Sequence, residues 1–103
     1  MKIKIGCDIV EIKRFNNLDK KTFNKIFHKT ELKNNPKSLA GIFAAKEACK
    51  KVFNLNWLDT EIKKKRSGKP ILITSKIKNI VDYDLSISHD GDYAIAVVVF
   101  LIK

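Results

Sequence analysis

The first ten residues alternate between apolar and other side chains. One set of alternate positions contains Ile3, Ile5, Cys7 and Ile9, and the other contains Lys4, Gly6 and Asp8. Alternation with a period of two is typical of a strand with one buried face. The pattern therefore predicts a half-buried β-strand over residues 2–10, which delivers Asp8 near its end.

The next part of the chain is predicted to be helical. Residues 11–27 are polar and rich in lysine, with five apolar residues at helical spacing: Phe15, Leu18, Phe23, Ile26 and Phe27. This spacing predicts one or two short helices, and Asn34-Asn35-Pro36 then breaks the chain. A longer helix is predicted from about Ser38 to Phe53.

The long helix has two distinct faces when its residues are placed 100° apart. Its core stripe consists of Leu39, Ile42, Phe43, Cys49 and Phe53. A second face consists of Ala40, Ala44 and Ala48, bordered by Glu47 and Lys51. Because alanine side chains are small, we expect this second face to let a bulky ligand lie against the helix.

The second half of the chain reads mainly as strands. Strands are predicted over residues 60–65 and 70–74, separated by the turn Arg66-Ser67-Gly68-Lys69, and a short helix over Ser75–Val81. Residues 85–88 and 93–102 read as a hairpin, because Asp90-Gly91 is a strong turn signal. The last strand is apolar on both faces and is therefore predicted to be central. Strands at both ends with helices between them predict an α+β fold.

Composition limits the classes of protein that fit this pattern. A chain of 103 residues is one domain, residues 1–103, and its 45% hydrophobic content fits a globular protein. The net charge of +10 favours an anionic partner, although most of the basic residues are lysines, which AT-rich codons also supply. No apolar run is long enough for a membrane helix, so no membrane association is expected. Cys7 and Cys49 form no metal-ligand pair, which predicts reduced thiols and a cytoplasmic location.

Four places along the chain combine residues that carry chemistry. They are Asp8 at a strand end, Lys46-Glu47 with Lys51 on the long helix, the turn Gly68-Lys69-Pro70, and Ser86-Ile87-Ser88-His89 at another strand end. Two carboxylates from different elements can bind Mg²⁺ together with substrate phosphates, and nearby lysines can bind phosphate oxygens. Each feature alone also has an ordinary structural explanation, as a turn, a cap or a surface ion pair.

The order of these motifs is more specific than any one of them. Gly6-Cys7-Asp8-Ile9-Val10-Glu11, Phe43-Ala44-Ala45-Lys46-Glu47-Ala48, Gly68-Lys69-Pro70 and Ser86-Ile87-Ser88-His89 follow one another along the chain. In this order they resemble the holo-acyl-carrier-protein synthases, over nearly the whole chain. The resemblance implies a mainly antiparallel sheet packed against one long helix and short helices.

The resemblance also implies an activity and a site. Members of this family are phosphopantetheinyl transferases, which move the phosphopantetheine arm of coenzyme A to a serine of apo acyl carrier protein. Asp8, Glu47 and Lys51 are the catalytic residues that it implies, with Asp8 and Glu47 as Mg²⁺ ligands. The implied coenzyme A contacts are Lys46, Lys51, Gly68, Lys69, Pro70, Ser88 and His89. The proton of the attacking serine could pass to a metal-bound water or to Glu47.

The implied partners are an acidic carrier protein and further copies of the chain. Arg14 matches the arginine that contacts the carrier, and Lys13, Lys20, Lys21 and Lys25 surround it as a basic surface. Relatives of this small type form homotrimers with active sites at subunit contacts. Three segments depart from the family pattern: Ile42, residues 52–57 and Ser67.

Two other functions compete with this hypothesis. A phosphopantetheinyl transferase for carrier proteins outside fatty acid synthesis would have the same motifs. A nucleic-acid-binding protein would account for the charge, but two arginines and no set of stacking aromatic residues argue against it. We therefore expect no nucleic-acid partner.

Overall fold

The computed structural model describes residues 1–17 and 19–103. It contains five strands and two α-helices, together with 3₁₀ turns at Ile12–Phe15, Glu31–Lys33 and Trp57–Asp59. The strands are β1 (Lys2–Glu11), β2 (Glu61–Lys64), β3 (Pro70–Ile73), β4 (Ile80–Asp90) and β5 (Tyr93–Ile102). The helices are α1 (Lys20–Ile26) and α2 (Pro36–Val52). The predicted α+β fold is confirmed. Leu18, one of the apolar residues used to predict the short helices, lies outside the described residues.

The main sheet has the order β1-β5-β4, and both of its strand pairs are antiparallel. The prediction that the last strand is central is therefore confirmed. Gly91, with a φ of 56°, begins the two-residue turn between β4 and β5, a conformation that glycine adopts without strain. A separate hairpin of β2 and β3 joins β4 through Tyr83, whose hydroxyl bonds both the N–H and the C=O of Leu72.

Helix α2 begins where the predicted chain break lies. The Asn35 side chain accepts a hydrogen bond from the Ser38 N–H at 2.9 Å, and Pro36 occupies the first turn. The helix packs on one face of the main sheet, which we call the inner face. There Ala40, Ala44 and Ala48 are fully buried. The expectation that these alanines leave room for a ligand is wrong, because their small size serves the close packing of the sheet on the helix.

Strand β1 is half-buried as predicted, but Ile3, Ile5 and Ile9 of its alternating apolar set point away from α2. Gly6 and Val10 are buried on the inner face and Asp8 is half-buried there. The alternate residues Ile3, Ile5 and Ile9 lie 61–75% exposed on the opposite face, which we call the outer face. The outer face of β5 adds three further partly exposed residues: Tyr93, Ile95 and Val97.

The predicted helix over Ser75–Val81 is wrong. Residues 74–79 have no helix, and β4 starts at Ile80, five residues before the predicted strand. Asn79 has a φ of 65°, and its carbonyl accepts a hydrogen bond from the N–H of Lys103. The left-handed residue therefore turns the chain directly into the sheet.

The chain N-terminal to α2 packs through aromatic side chains. Phe15 contacts Phe23, Phe27 and Phe43, with ring centroids 5.2–6.5 Å apart. This cluster fixes α1 and the Ile12–Phe15 turn against α2. Within the described part of the chain, no helix has the length and apolar character needed to cross a membrane.

Candidate active site

Asp8 lies beside Lys51 because β1 and α2 approach closely at Gly6. A Cβ at Gly6 would lie 2.1 Å from the Ala48 carbonyl oxygen, so only glycine permits this packing. Two residues further along β1, Asp8 Oδ1 lies 3.1 Å from Lys51 Nζ. The same ammonium donates a hydrogen bond to the Cys7 carbonyl oxygen at 2.8 Å. The Asp8 side chain is 15% exposed, so this ion pair is partly shielded from water.

Glu47 lies one helical turn before Lys51 and is half-buried. Residues four apart share a face of a helix, so Glu47 lies on the side of α2 that carries Lys51. Within residues 1–17 and 19–103, the Glu47 carboxylate forms no ion pair, and no group of three or more His, Cys, Asp or Glu residues converges as a metal site. Mg²⁺ commonly binds one or two carboxylates together with water and substrate phosphates, so carboxylates such as Asp8 and Glu47 are of the ligand type that this ion takes.

Lys46 is placed differently from the sequence expectation. Its side chain is fully buried, and its ammonium lies 2.8 Å from Glu31 Oε1. It also donates to the carbonyl oxygens of Trp57 and Thr60, so all three of its N–H donors are used. Burial lowers the pKa of Lys46, and the hydrogen bond from Lys46 to Glu31 opposes this shift. Lys46 therefore has no donor left for coenzyme A, and we remove it from the predicted contacts.

A cleft of about 480 Å³ lies between the start of α2, the β2–β3 hairpin and β4. Three of the predicted coenzyme A contacts line it: Gly68, Pro70 and His89. His89 Nε2 lies 3.0 Å from the Lys37 carbonyl oxygen, which orients the ring toward the first turn of α2. Ile42, Lys63 and Lys64 also line the cleft, so its wall combines apolar and cationic side chains.

The other two predicted contacts in these segments lie outside the cleft. Lys69 Nζ lies 2.7 Å from Asp84 Oδ1, and the hydrogen bond from Lys69 is the main cause that lowers the pKa of Asp84. Ser88 is exposed and pairs with Ile95 in the register of the sheet, so it belongs to the outer face. Successive residues of a strand point to opposite faces, which separates Ser88 from His89.

The residues predicted to contact the carrier lie on two short segments. Lys13 and Arg14 lie in the Ile12–Phe15 turn, and Lys20, Lys21 and Lys25 lie on α1. All five residues are exposed. Lys13 pairs with Glu11 at 3.2 Å, and the Arg14 guanidinium lies 5.4 Å from the centre of the Phe43 ring. Asp19 caps the N-terminus of α1, and the backbone hydrogen bond from Thr22 is the main cause that lowers its pKa.

Two contacts near the site cannot be predicted from the spacing of residues in the sequence. Glu31 is fully buried and accepts hydrogen bonds from the N–H groups of His28 and Ile62, besides pairing with Lys46. Fifteen residues separate Glu31 from Lys46, so no local spacing connects them. Lys50 lies over Trp57 at 3.7 Å from the ring centre, again between segments that no periodicity links.

Comparisons with known proteins agree on one family. Residues 4–98 match the model of the 4'-phosphopantetheinyl transferase superfamily. The holo-[acyl-carrier-protein] synthase of Nautilia profundicola is 39% identical over 111 residues, covering 94% of this chain and 98% of that protein. The corresponding synthase of Helicobacter pylori is 38% identical over 112 residues, covering 92% of this chain and 94% of that protein.

Solved structures show the same similarity. The crystal structure of the Helicobacter pylori synthase in complex with coenzyme A has a TM-score of 0.83 and 38% identity, covering 94% of this chain and 99% of that one. The Bacillus anthracis synthase, in complex with coenzyme A (3',5'-ADP), has a TM-score of 0.81 and 34% identity, with 94% of each chain covered. The chain therefore belongs to the 4'-phosphopantetheinyl transferase superfamily.

Proposed function

We propose that this chain, as one domain over residues 1–103, transfers the 4'-phosphopantetheine arm of coenzyme A to a serine of apo acyl carrier protein. This is the holo-[acyl-carrier-protein] synthase reaction, EC 2.7.8.7, which serves fatty acid biosynthesis. The observation that carries the proposal is the placement of Asp8 against Lys51, with Glu47 one turn away on α2. This group of residues occurs in a chain whose relatives are named holo-[acyl-carrier-protein] synthases. The solved structure of one such relative contains coenzyme A.

The reaction requires charge neutralisation at a diphosphate. The serine oxygen bonds to the β-phosphorus of coenzyme A, the bond from that phosphorus to the bridging oxygen breaks, and adenosine 3',5'-bisphosphate leaves. Lys51 is placed to donate hydrogen bonds to the phosphate oxygens, while Asp8 keeps its ammonium in position. The serine proton passes to a carboxylate such as Glu47 or to water.

Mg²⁺ is the proposed cofactor. Asp8 and Glu47 would hold it, and the bound ion would neutralise charge on the diphosphate. Within the proposed site, Lys51 contributes one positive charge and Glu47 supplies a carboxylate that forms no ion pair among the described residues. The same two carboxylates thus fit a metal that takes its remaining ligands from substrate and water.

Coenzyme A is proposed to bind in the cleft, in contact with Gly68, Pro70 and His89. Lys69 and Ser88 remain proposed contacts. Lys69 would first have to leave Asp84, and Ser88 would have to reach the ligand from the outer face. Arg14, Lys13, Lys21 and Lys25 are proposed to receive the acidic carrier protein, because their charge is complementary to it.

A homotrimer is part of the same proposal. The outer face exposes six large apolar side chains on β1 and β5: Ile3, Ile5, Ile9, Tyr93, Ile95 and Val97. Continuous apolar surface of this kind is typical of subunit interfaces. Asp8, Glu47 and Lys51 do not line the cleft, so contact between copies would combine the two parts of the site. A reduced cytosolic setting fits the two free thiols, Cys7 and Cys49.

Mass spectrometry of apo acyl carrier protein, incubated with this protein, coenzyme A and Mg²⁺, tests the activity. We expect a mass gain equal to the phosphopantetheine arm, which is absent when EDTA is present. Glu47→Gln and Asp8→Asn should each abolish the gain. Asp92→Asn, in the exposed turn between β4 and β5, is the matched control and should retain it. Full transfer by Glu47→Gln or Asp8→Asn would contradict the metal assignment.

A further inference from the structure

Four side chains stack in sequence between α2 and the segments that flank it. The Arg14 guanidinium lies over Phe43 at 5.4 Å, and Phe43 stacks on Trp57 with ring centroids 5.0 Å apart and an interplanar angle of 25°. Lys50 Nζ then lies 3.7 Å from the centre of the Trp57 ring. We call Arg14, Phe43, Trp57 and Lys50 the cation–aromatic ladder. It places a cation at each end of a pair of aromatic rings.

The ladder runs beside the candidate active site. Phe43, Glu47 and Lys50 lie at positions i, i+4 and i+7 of α2, which places them along one face of the helix. Glu47 therefore lies between the Phe43 end of the ladder, which carries Arg14, and its Lys50 end. Phe43 is buried, Trp57 and Lys50 are half-buried, and Arg14 is exposed.

The two cations of the ladder have no acidic partner in the described part of the chain. Three other lysines do have one: Lys13 pairs with Glu11, Lys51 with Asp8 and Lys69 with Asp84. Arg14 and Lys50 contact ring faces instead, which attract a cation and leave its charge available to an anion. The rings also restrict both side chains, so less conformational entropy is lost when they bind a partner.

We infer that Lys50 and Trp57, together with Arg14, form a docking surface for the acidic carrier protein, which rests on the proposed function. Phe43 and Lys50 are seven residues apart, or about 10 Å along α2, so one phosphate group cannot contact both ends of the ladder. Carboxylates two turns apart on an acidic helix have a matching separation. Such a partner would place its acceptor serine beside Glu47.

The only tryptophan of the chain makes this surface directly observable. Titration with apo acyl carrier protein, without coenzyme A, should change the fluorescence of Trp57, because docking alters the contact between Lys50 and the ring. Lys50→Ala should weaken this binding and raise the KM for the carrier about 3- to 10-fold, with kcat and the KM for coenzyme A unchanged. The effect should decrease at high salt, which screens exposed charges.

Two control variants separate docking from general loss of charge or of packing. Lys78→Ala removes one exposed lysine at the far end of the sheet from Arg14, next to Asn79, and should leave both KM values unchanged. Lys50→Arg retains a cation over Trp57 and should restore carrier binding, whereas Lys50→Met should not.

Three results would overturn the inference. They are an equal effect of Lys50→Ala and Lys78→Ala on the carrier KM, a Lys50→Ala effect confined to the coenzyme A KM, and rescue by Lys50→Met. Failure of the proposed function has a different signature, because wild-type protein would then transfer nothing. In that case, a fluorescence change that Lys50→Ala weakens would still support docking, and an unchanged signal would refute it.

Discussion

Gly6 sets the distance between β1 and α2, and with it the position of Asp8. A methyl group there would lie 2.1 Å from the Ala48 carbonyl oxygen and 2.9 Å from Val52 Cγ2. Because a backbone carbonyl in a helix cannot rotate away, Gly6→Ala should force the strand off the helix. We expect a loss of about 1–3 kcal/mol in the free energy of unfolding. Urea denaturation measures it, and transfer activity should fall as Asp8 moves from Lys51.

Gly41→Ala is the matched control for this substitution. Its methyl group would meet Ile87 Cγ2 at 2.8 Å and His89 Nε2 at 3.1 Å, both of which belong to side chains that can move. Alanine is also a better helix former than glycine by about 0.5–1 kcal/mol. The variant should therefore lose less stability than Gly6→Ala and act mainly through a higher KM for coenzyme A. A larger stability loss at Gly41 than at Gly6 would contradict this account.

At the scale of single residues, the sequence predicts which side chains share a helix face better than which of them point into the core. The helical spacing of Glu47 and Lys51 predicts a shared face, and Lys51 forms an ion pair with Asp8 from β1. The neighbouring Lys46 instead points into the core toward Glu31. A one-residue step on a helix turns a side chain by about 100°, and only the distant buried carboxylate determines that Lys46 is structural.

At the scale of elements, the sequence predicts correctly those helices and strands whose bounds depend on residues within the same segment. The sequence predicts the long helix over residues 38–53, close to its observed bounds of Pro36–Val52, because periodicity and the Asn35-Pro36 cap act within the segment. Periodicity groups residues by face without showing what covers the face. For this reason the sequence predicts a ligand on the alanine face of α2, although this face packs on the sheet. The extent of β4 depends on pairing with β5, which no local pattern contains.

Asn79 explains why the segment before β4 is not a helix. Its φ of 65° is strained for residues with a Cβ, although asparagine tolerates it better than most. Asn79→Ala should therefore lower the free energy of unfolding by about 1 kcal/mol, whereas Asn79→Gly should leave it near the wild-type value. Chemical denaturation of both variants measures the difference. Equal stability of the two would show that the left-handed conformation at this position imposes no constraint.

At the scale of the whole molecule, the two faces of the main sheet have different roles. The inner face is covered by α2 and contains Asp8, while the outer face leaves apolar side chains in solvent. The cleft with His89 opens on another side of α2 from Lys51, and Gly41 and Lys51 are about 15 Å apart along the helix. A single copy thus presents an uncovered apolar surface, and its proposed coenzyme A cleft is separated from Asp8 and Lys51. Assembly of several copies would resolve both features.

Ile95→Lys tests this assembly, because it places a charge in the middle of the outer face without altering the inner face. We expect the variant to sediment as a monomer with unchanged secondary structure and to lose transfer activity. Leu58→Lys changes a similarly apolar and somewhat more exposed position outside the main sheet, and it should leave the oligomeric state unchanged. A trimeric Ile95→Lys protein, or a wild-type monomer with full activity, would contradict the proposed assembly.

The two cysteines give an independent measure of the same interface. Cys7 is exposed on the outer face of β1. If copies assemble through this face, a maleimide should modify Cys7 rapidly in the Ile95→Lys variant and slowly in the wild-type protein. Burial raises the pKa of Cys49 to about 12, which keeps this thiol protonated at neutral pH. Because the thiolate is the reactive form, Cys49 should remain unmodified in both proteins until they unfold. Rapid labelling of Cys7 in the wild-type protein would show that solvent, rather than a second copy, covers the outer face.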